Sequence, residues 1–326
     1  MGSTLRRAAM FSAVVLVSVW FLSGALPALA AAAGGGAPGF PMTLRDALGR
    51  TVTVPEPPAR IVSLTPSVTE ILYALGLGDR VIGVSKWSDY PAEAQAKPAV
   101  GDALALNYEK LIALEPDLVV GDANLVKNFL QKLSELKLRV FAIAPTSLDE
   151  VMEAVLQVGA VTGRKTQADK VVQEMKKRRD AVVAALKGLP ESRKPRVFVE
   201  IWNEPLMTAG PGSFIDELVK LAGGRNIAFD AGSAWPQFSP ELVVARNPEV
   251  IVLTQFNKKE VEKRAAWGDL AALKRGRVHE IDSSPLVRTS PRLVEGLELL
   301  ARLFHPEIFP VSEVRDNTAT GRDGGR

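Results

Sequence analysis

Cysteine is absent from the 326-residue sequence, and histidine occurs only twice. Without cysteine the chain has no disulfide, no thiolate metal site and no cysteine nucleophile. Two histidines leave little room for a histidine metal cage or a histidine general base. A net charge of only +3 and an aromatic content of 6% offer no basic surface for stacking nucleic-acid bases. These absences exclude thiol chemistry and argue against metalloenzymes and nucleic-acid-binding proteins.

Motifs for phosphate binding and hydrolysis are absent as well. The sequence contains no Walker A, His-Glu-x-x-His or Gly-x-Ser-x-Gly motif. A Gly-Pro-Gly turn at 210–212 lies between a predicted strand and a predicted helix, but Ile215 stands where a dinucleotide-binding loop needs its third glycine. We interpret His279 and His305 as structural residues rather than metal ligands. The sequence therefore predicts a protein that is not an enzyme and that carries no cofactor or metal.

Residues 1–33 are typical of a secretory signal peptide and leader. Arg6 and Arg7 precede an uncharged apolar run that extends from Ala8 to Leu26. Ala-Leu-Ala at 28–30 then offers the small residues that signal peptidase requires. Serine, glycine and proline residues interrupt this stretch, which favours cleavage over the alternative of an uncleaved membrane anchor. We therefore predict export to the periplasm through a cleaved signal peptide.

After the leader, short apolar runs alternate with segments of helical periodicity. The apolar runs are continuous and short, as expected for strands that helices cover on both faces. Such alternation is typical of parallel sheets with crossover helices. The predicted strands are Arg60–Leu64, Val81–Val84, Leu118–Val120, Val140–Ile143, Val197–Ile201, Val250–Leu253 and Val278–Ile281. The predicted helices are Val68–Leu75, Tyr108–Leu114, Val126–Leu136, Leu148–Thr162, Phe214–Leu221, Pro240–Ala245 and Pro291–Phe304.

One segment departs from this alternation. Lys165 to Gly188 has the apolar stripe of a single long helix, and Gly188 and Pro190 end it. We interpret it as a rigid linker between two α/β lobes with parallel sheets, the alternative being an ordinary crossover helix. The predicted divisions are an N-terminal lobe at 42–164, the linker helix at 165–189, a C-terminal lobe at 194–310 and a flexible tail at 311–326.

The two halves of the chain also match each other. Segment 109–120 aligns without a gap with segment 241–252, 132 residues later. In both, a glutamate opens a two-turn helix, a proline ends it, and an acidic residue precedes an apolar strand. A second match pairs 69–72 with 216–219. Two lobes of similar build commonly enclose a small molecule in the cleft between them.

Three tryptophans lie beside predicted core elements rather than within them. Trp87 and Trp202 follow predicted strands, and Trp235 precedes a predicted helix. Ligands of open parallel sheets bind beyond the carboxyl ends of the strands, where such loops lie. Large rings there, beside serine and amide side chains, indicate a bulky ligand with apolar faces. The alternative is that the rings close the core near the loops, which is the role we assign to Trp267.

Several motifs carry a family resemblance. The mature chain resembles periplasmic substrate-binding proteins of the helical-backbone class (class III), and most closely the vitamin B12 (cobalamin) receptors of ABC importers. The similarity covers about residues 43–310. It rests on the motifs at 60–70, 88–91, 114–119, 235–241 and 290–292.

The resemblance implies two Rossmann-like lobes joined by one long helix, with a corrinoid held between them. Tyr90 and Trp235 would form walls against the corrin ring, with further residues at the floor and rim of the cleft. The implied ligand-binding residues are Pro66, Ser67, Trp87, Tyr90, Trp202, Trp235, Ser283, Ser284 and Arg288.

The resemblance also implies a partner. Glu109 and Glu241 fall where the family places one docking glutamate per lobe, which pairs with arginines of an ABC-transporter membrane permease. The protein would hand its ligand to that permease without changing it, and we expect it to be a monomer that binds no nucleic acid.

Two features leave another ligand open. Some corrinoid receptors carry an aromatic residue before the first docking glutamate, whereas 101–104 has none here. An acidic–aromatic cluster near 284–286 is also missing. The alternative is a ferric-siderophore or haem receptor of the same fold. An anionic siderophore would call for arginines in the cleft, for which Arg288 and Arg292 are the obvious candidates. Haem would need an axial ligand, for which Tyr90 is the attractive option.

Overall fold

The computed structural model describes residues 39–255 and 257–310. The predicted signal peptide and C-terminal tail lie outside these residues. Among the helices that are described, none is both long enough and apolar enough to cross a membrane.

Eleven strands and eleven helices build the described chain. The strands are β1 (Met42–Arg45), β2 (Thr51–Val54), β3 (Ile61–Ser63), β4 (Val81–Gly83), β5 (Leu118–Asp122), β6 (Val140–Ile143), β7 (Arg196–Trp202), β8 (Met207–Thr208), β9 (Arg225–Asn226), β10 (Val250–Leu253) and β11 (Val278–Glu280). The helices are α1 (Pro66–Ala74), α2 (Tyr108–Ala113), α3 (Ala123–Glu135), α4 (Leu148–Val161), α5 (Lys165–Ala185), α6 (Phe214–Leu221), α7 (Pro240–Arg246), α8 (Lys258–Glu262), α9 (Ala271–Lys274), α10 (Ser284–Val287) and α11 (Leu293–Phe304).

Two parallel sheets form two α/β lobes, as predicted. The N-terminal sheet has the order β4-β3-β5-β6, and all its pairings are parallel. In the C-terminal sheet β9, β7, β10 and β11 follow the same order and are also parallel. Strands β6 and β10 are buried along their whole length, which is why their sequences are continuous apolar runs.

The repeat between the lobes extends to the backbone of a single turn. In both matched segments a helix, α2 or α7, leads into the third strand of its sheet. Glu115 and Asn247, which are equivalent in the alignment, both have a left-handed backbone, with φ of 44° and 41°. A left-handed glutamate is uncommon, so the two turns share a specific geometry rather than a general pattern.

The structure adds elements that the sequence analysis did not predict. β1 and β2 form an antiparallel hairpin before the first lobe sheet, and β8 pairs antiparallel with β7. Helices α8, α9 and α10 contain only four or five residues each. Elements this short carry too few residues for a periodicity to be visible.

Helix α5 separates the two sheets in the chain and packs against α4 and α11. It has 21 residues and ends at Ala185, three residues before the predicted end at Gly188. Gly188 instead has a φ of +81°, outside the helix. The buried side of the helix is part of the predicted stripe, namely Ala168, Val172, Met175 and Val182.

One apolar core runs through both lobes. It includes Leu72 of α1 and Val151 of α4 on one side, and Leu218 of α6 and Leu297 of α11 on the other. Two smaller clusters lie within single lobes. Trp267 is 1% exposed and packs edge-on against Phe198 in one of these, which confirms its assignment to the core. Because the large cluster spans the lobes, a wide separation of the lobes would expose apolar surface to water.

Candidate functional site

The aromatic side chains predicted for the site are exposed rather than buried. The exposed fractions are 62% for Trp87, 45% for Tyr90, 51% for Trp202 and 41% for Trp235. Trp87 and Tyr90 follow β4, and Trp202 ends β7, so these residues lie beyond the carboxyl ends of parallel strands. The alternative that these rings close the core is therefore wrong. Among the described residues, no two of these four rings stack on each other.

An ion pair fixes the surroundings of Trp87. The Lys86 ammonium lies 5.0 Å from the centre of the Trp87 ring and also forms an ion pair with Asp102. The Asp102 carboxylate accepts hydrogen bonds from the backbone N–H groups of Leu104 and Ala105, at 2.8 and 3.0 Å. The bond to Lys86 and these backbone donors lower the pKa of Asp102 to about 2. The loop at 101–106 is thereby held beside Trp87.

Different contacts hold the two tryptophans of the C-terminal lobe. The Trp202 indole donates a hydrogen bond of 2.8 Å to the Glu204 carbonyl oxygen. The Trp235 ring packs edge-on against Phe214, with 5.3 Å between ring centres. Both rings keep about half of their surface open to solvent, which suits stacking against a flat ligand.

Tyr90 meets an arginine of the opposite lobe. The Arg292 guanidinium lies 3.9 Å from the centre of the Tyr90 ring. Beside it, the Arg288 guanidinium donates to Glu70 at 2.9 Å and to Asp89 at 2.6 Å. Burial would raise the pKa of Asp89, but the hydrogen bond and charge of Arg288 bring it below its usual range. The segment between α10 and α11 therefore contacts α1 and the loop after β4, and these contacts join the two lobes.

The remaining predicted ligand residues lie at the starts of helices. Pro66 and Ser67 open α1, directly after β3, and the Ser67 hydroxyl lies 3.3 Å from the Thr65 hydroxyl. Ser283 and Ser284 stand at the start of α10, after β11. All four thus lie at the same ends of the sheets as the aromatic residues.

A cavity of about 800 Å³ lies beside α5, and the sequence analysis did not find it. Its lining includes Tyr90 but none of the tryptophans. Other walls come from α1, α11 and the side of α5 around Val171 and Met175. Of the predicted aromatic residues, only Tyr90 lines this cavity, and the tryptophans lie outside it.

The predicted docking glutamates occupy equivalent places in the two lobes. Glu109 is exposed in the first turn of α2, and Glu241 is exposed in the first turn of α7. A hydrogen bond from the Ser239 hydroxyl lowers the pKa of Glu241. Both side chains are open to a partner.

The described part of the chain contains no cluster of three or more histidine, aspartate or glutamate side chains that could hold a metal ion. His305 is 1% exposed and lies 3.1 Å from the backbone oxygen of Gly223. This contact confirms the interpretation of His305 as a structural residue.

The family described as "Periplasmic binding protein" matches residues 61–285. A Bacillus subtilis protein named "Uncharacterized ABC transporter substrate-binding lipoprotein YvrC" is 36% identical over 276 residues, which cover 83% of this chain and 87% of that protein. A "Cobalamin-binding protein" of Halobacterium salinarum is 31% identical and covers 82% of this chain and 74% of its own length.

Solved structures give the same picture of the fold. The periplasmic vitamin B12 binding protein BtuF of Vibrio cholerae matches with a TM-score of 0.68 and 28% identity, over 76% of this chain and 97% of that one. The periplasmic heme-binding protein RhuT from Roseiflexus sp. RS-1 matches with a TM-score of 0.69 and 26% identity, over 76% of this chain and 98% of that one.

Proposed function

The chain belongs to the periplasmic binding protein family, and from that premise we propose that it is a periplasmic receptor for cobalamin or a related corrinoid. It binds this ligand between its two lobes and delivers it unchanged to an ABC-transporter permease. Export depends on the signal peptide predicted at residues 1–33, and the mature protein acts as a monomer.

The exposed aromatic residues at the carboxyl ends of the sheets carry this proposal. Trp87 and Tyr90 come from one lobe, and Trp202 and Trp235 from the other. Exposure of four large rings to water is unfavourable, so a ligand that covers them gains free energy from their burial. A corrin ring offers two broad faces for such rings and carries amide side chains that suit the nearby serine and amide groups.

The charges between the lobes favour a ligand without strong negative charge. Arg288 is already paired with Glu70 and Asp89. Arg292 lies 3.6 Å from Glu70 and 3.4 Å from Glu295. An anionic siderophore would need to displace these carboxylates, which would leave the buried Glu70 without its partners.

Haem is the second candidate, and Tyr90 is the residue that favours it. The phenol is 45% exposed and lies at the junction of the two lobes. A tyrosine oxygen is a known axial ligand of haem iron. Among the predicted site residues, Tyr90 is the one with this chemistry.

Glu109 and Glu241 are the docking residues in this proposal. One exposed carboxylate per lobe offers two charge-assisted contacts to basic residues of a permease. Because the two contacts lie on different lobes, docking would depend on the angle between the lobes.

Ligand titration tests the proposal. The mature protein is titrated with cyanocobalamin, haem and a ferric siderophore, and binding is followed by tryptophan fluorescence and by calorimetry. Saturable binding of cyanocobalamin alone supports the corrinoid receptor. Binding of haem or the siderophore alone assigns the alternative, and binding of none of the three contradicts both.

A further inference from the structure

The side chain of Glu70, in α1 of the N-terminal lobe, contacts residues of the C-terminal lobe. This side chain is only 2% exposed, and Glu70 belongs to a run of buried residues, 68–72, in α1. A buried carboxylate requires partners within the protein. One carboxylate oxygen accepts a hydrogen bond of 2.5 Å from the buried Ser290 hydroxyl, and the other accepts one of 2.9 Å from Arg288. Both partners belong to the segment that leads into α11. The glutamate of α1 therefore binds the entry to the last helix of the other lobe.

Glu217 makes the corresponding contact in the opposite direction. This half-buried residue belongs to α6 of the C-terminal lobe. Its carboxylate accepts a hydrogen bond of 2.9 Å from the backbone N–H of Leu148, the first residue of α4. Leu148 itself is buried in the core that both lobes share. Each lobe thus sends one glutamate to the start of a helix in the other.

The two contacts are related by the internal repeat. Segment 69–72 matches segment 216–219, so Glu70 and Glu217 are equivalent in the alignment. Their helices, α1 and α6, are each the first helix after the first strand of a lobe sheet. The helices that they contact, α11 and α4, both follow the fourth parallel strand of the other sheet.

We propose that Glu70 and Glu217 are positioning residues that form a reciprocal clasp between the lobes and set the width of the ligand cleft. This inference rests on the proposed function only in naming the cleft as the ligand site. The clasp consists of the contacts of Glu70 with Arg288 and Ser290 and the contact of Glu217 with Leu148. It holds the lobes at two points in addition to α5, so the lobes cannot rotate about the linker helix without breaking one of these contacts.

Arg288, which the family resemblance places at the rim of the C-terminal lobe, also joins the two lobes. Its guanidinium donates hydrogen bonds to Glu70 and Asp89 of the other lobe. Its side chain is only 15% exposed. The clasp assigns it the role of joining the lobes beside the ligand.

Interlobe distances test the clasp directly, and the absence of cysteine makes the labelling simple. Spin labels are attached to Asn128→Cys in α3 and Ala245→Cys in α7, which are exposed helical positions, one in each lobe. Double electron–electron resonance then gives the distribution of distances without any ligand. We expect Glu70→Gln and Glu217→Ala each to broaden it, and Glu70→Ala combined with Glu217→Ala to broaden it further.

Glu298→Ala is the matched control. Glu298 is a partly buried carboxylate that forms two hydrogen bonds with Arg178, but this pair joins α11 to α5 rather than one lobe to the other. It should lower thermal stability without broadening the distances. If the combined variant does not fold, the two single variants decide. Unchanged distributions in folded clasp variants would overturn the proposal.

Ligand affinity gives a second readout. If a clasp variant keeps the bound cleft width in roughly a tenth of its molecules, corrinoid binding should weaken about tenfold. Broadened distances with no corrinoid binding by the parent protein would retain the clasp and refute the proposed ligand. Normal corrinoid binding by the parent protein with unchanged distances in the variants would support the proposed ligand and refute the clasp.

Discussion

The two lobes are built alike but contact each other with different chemistry. At Glu70 the partners are the Arg288 guanidinium and the Ser290 hydroxyl, so that contact is ionic. At Glu217 the partner is the uncharged backbone N–H of Leu148. Equivalent positions of the repeat thus carry an ion pair in one case and a hydrogen bond from an uncharged backbone donor in the other.

The pKa values of nearby groups show the consequence. Burial raises the pKa of Glu217, and the negative charges of Asp149 and Glu150 raise it further. The hydrogen bond from the Leu148 N–H and the charge of Arg179 lower it, but the net shift is upward. Beside the Glu70 contact, Arg288 brings the pKa of Asp89 below its usual range although burial opposes it. Ionisation of Asp89 therefore stabilises the folded protein, whereas ionisation of Glu217 opposes folding because of its burial and the nearby negative charges. The repeat conserves the backbone arrangement but not the charge.

Removing the guanidinium of the ionic contact should have the largest effect. Arg288→Met leaves the buried Glu70 carboxylate with only Ser290 and the more distant Arg292. Breaking a buried ion pair from one side costs about 3–5 kcal/mol of folding free energy, and we expect the lower part of that range because two partners remain. Urea unfolding measures the loss.

The control for this prediction is an exposed ion pair of the same type. Arg193 and Glu307 are 2.8 Å apart and both about half exposed. Arg193→Met should therefore cost about 1 kcal/mol or less. Equal losses for the two variants would mean that the Glu70 contact is no stronger than a surface ion pair.

The tryptophans of the two lobes should also contribute differently to ligand affinity. Trp235 is held against Phe214, whereas Trp87 is more exposed and has Lys86 beside its ring. A ring already fixed in place loses less conformational freedom on binding. Trp235→Ala should therefore cost about 2 kcal/mol or more in corrinoid affinity, roughly 30-fold, and Trp87→Ala should cost less.

Calorimetric titration gives both values. Val183→Ala is the control, because Val183 is 42% exposed on α5 and lines a surface with Lys194 and Gly223, which precede β7 and β9 at the opposite end of the C-terminal sheet. It should leave the affinity unchanged. Unchanged affinity of Trp235→Ala would remove this residue from the ligand site.

The sequence revealed the positions that depend on local pattern. All seven predicted lobe strands exist, because strands buried on both faces are continuous apolar runs. Exposure of the aromatic loops also followed from their place after strands. The contacts of Glu70 and Glu217 could not be predicted in this way, since their partners lie 218 and 69 residues away. The one local signal was a glutamate among the apolar positions of α1.

Substitution of Glu109 and Glu241 tests whether the two lobes contribute equally to permease binding. Glu109→Ala and Glu241→Ala each remove one exposed carboxylate, and exposed ion pairs contribute little because water screens them. Each single variant should lower permease affinity by up to about fivefold, and the double variant should lower it further. Uptake by a reconstituted importer measures this effect, while corrinoid affinity in solution should stay unchanged. Normal uptake by the double variant would contradict the docking role.

The smallest effects should come from pH, and they should have opposite signs at the two contacts. Asp89 has a lowered pKa, so its contribution to stability is present above the unfolded pKa of about 3.9 and is lost as pH falls through the folded value. Glu217 has a raised pKa, so its contribution is present below about 4.3 and is lost as pH rises through the folded value.

At pH 8, Asp89→Asn should therefore be less stable than the parent protein, by about 1 kcal/mol or less because the group is largely exposed. Glu217→Gln, which keeps an acceptor for the Leu148 N–H, should be more stable than the parent. Thermal unfolding at decreasing pH should show the Glu217→Gln difference shrinking first, as the pH falls towards about 4.3 and the parent's Glu217 takes up its proton. The Asp89→Asn difference should shrink only below about pH 3.9, because the pKa of Asp89 is lowered in the folded protein. Shifts of the same sign in the two variants would mean that the interlobe contacts do not differ in charge as described.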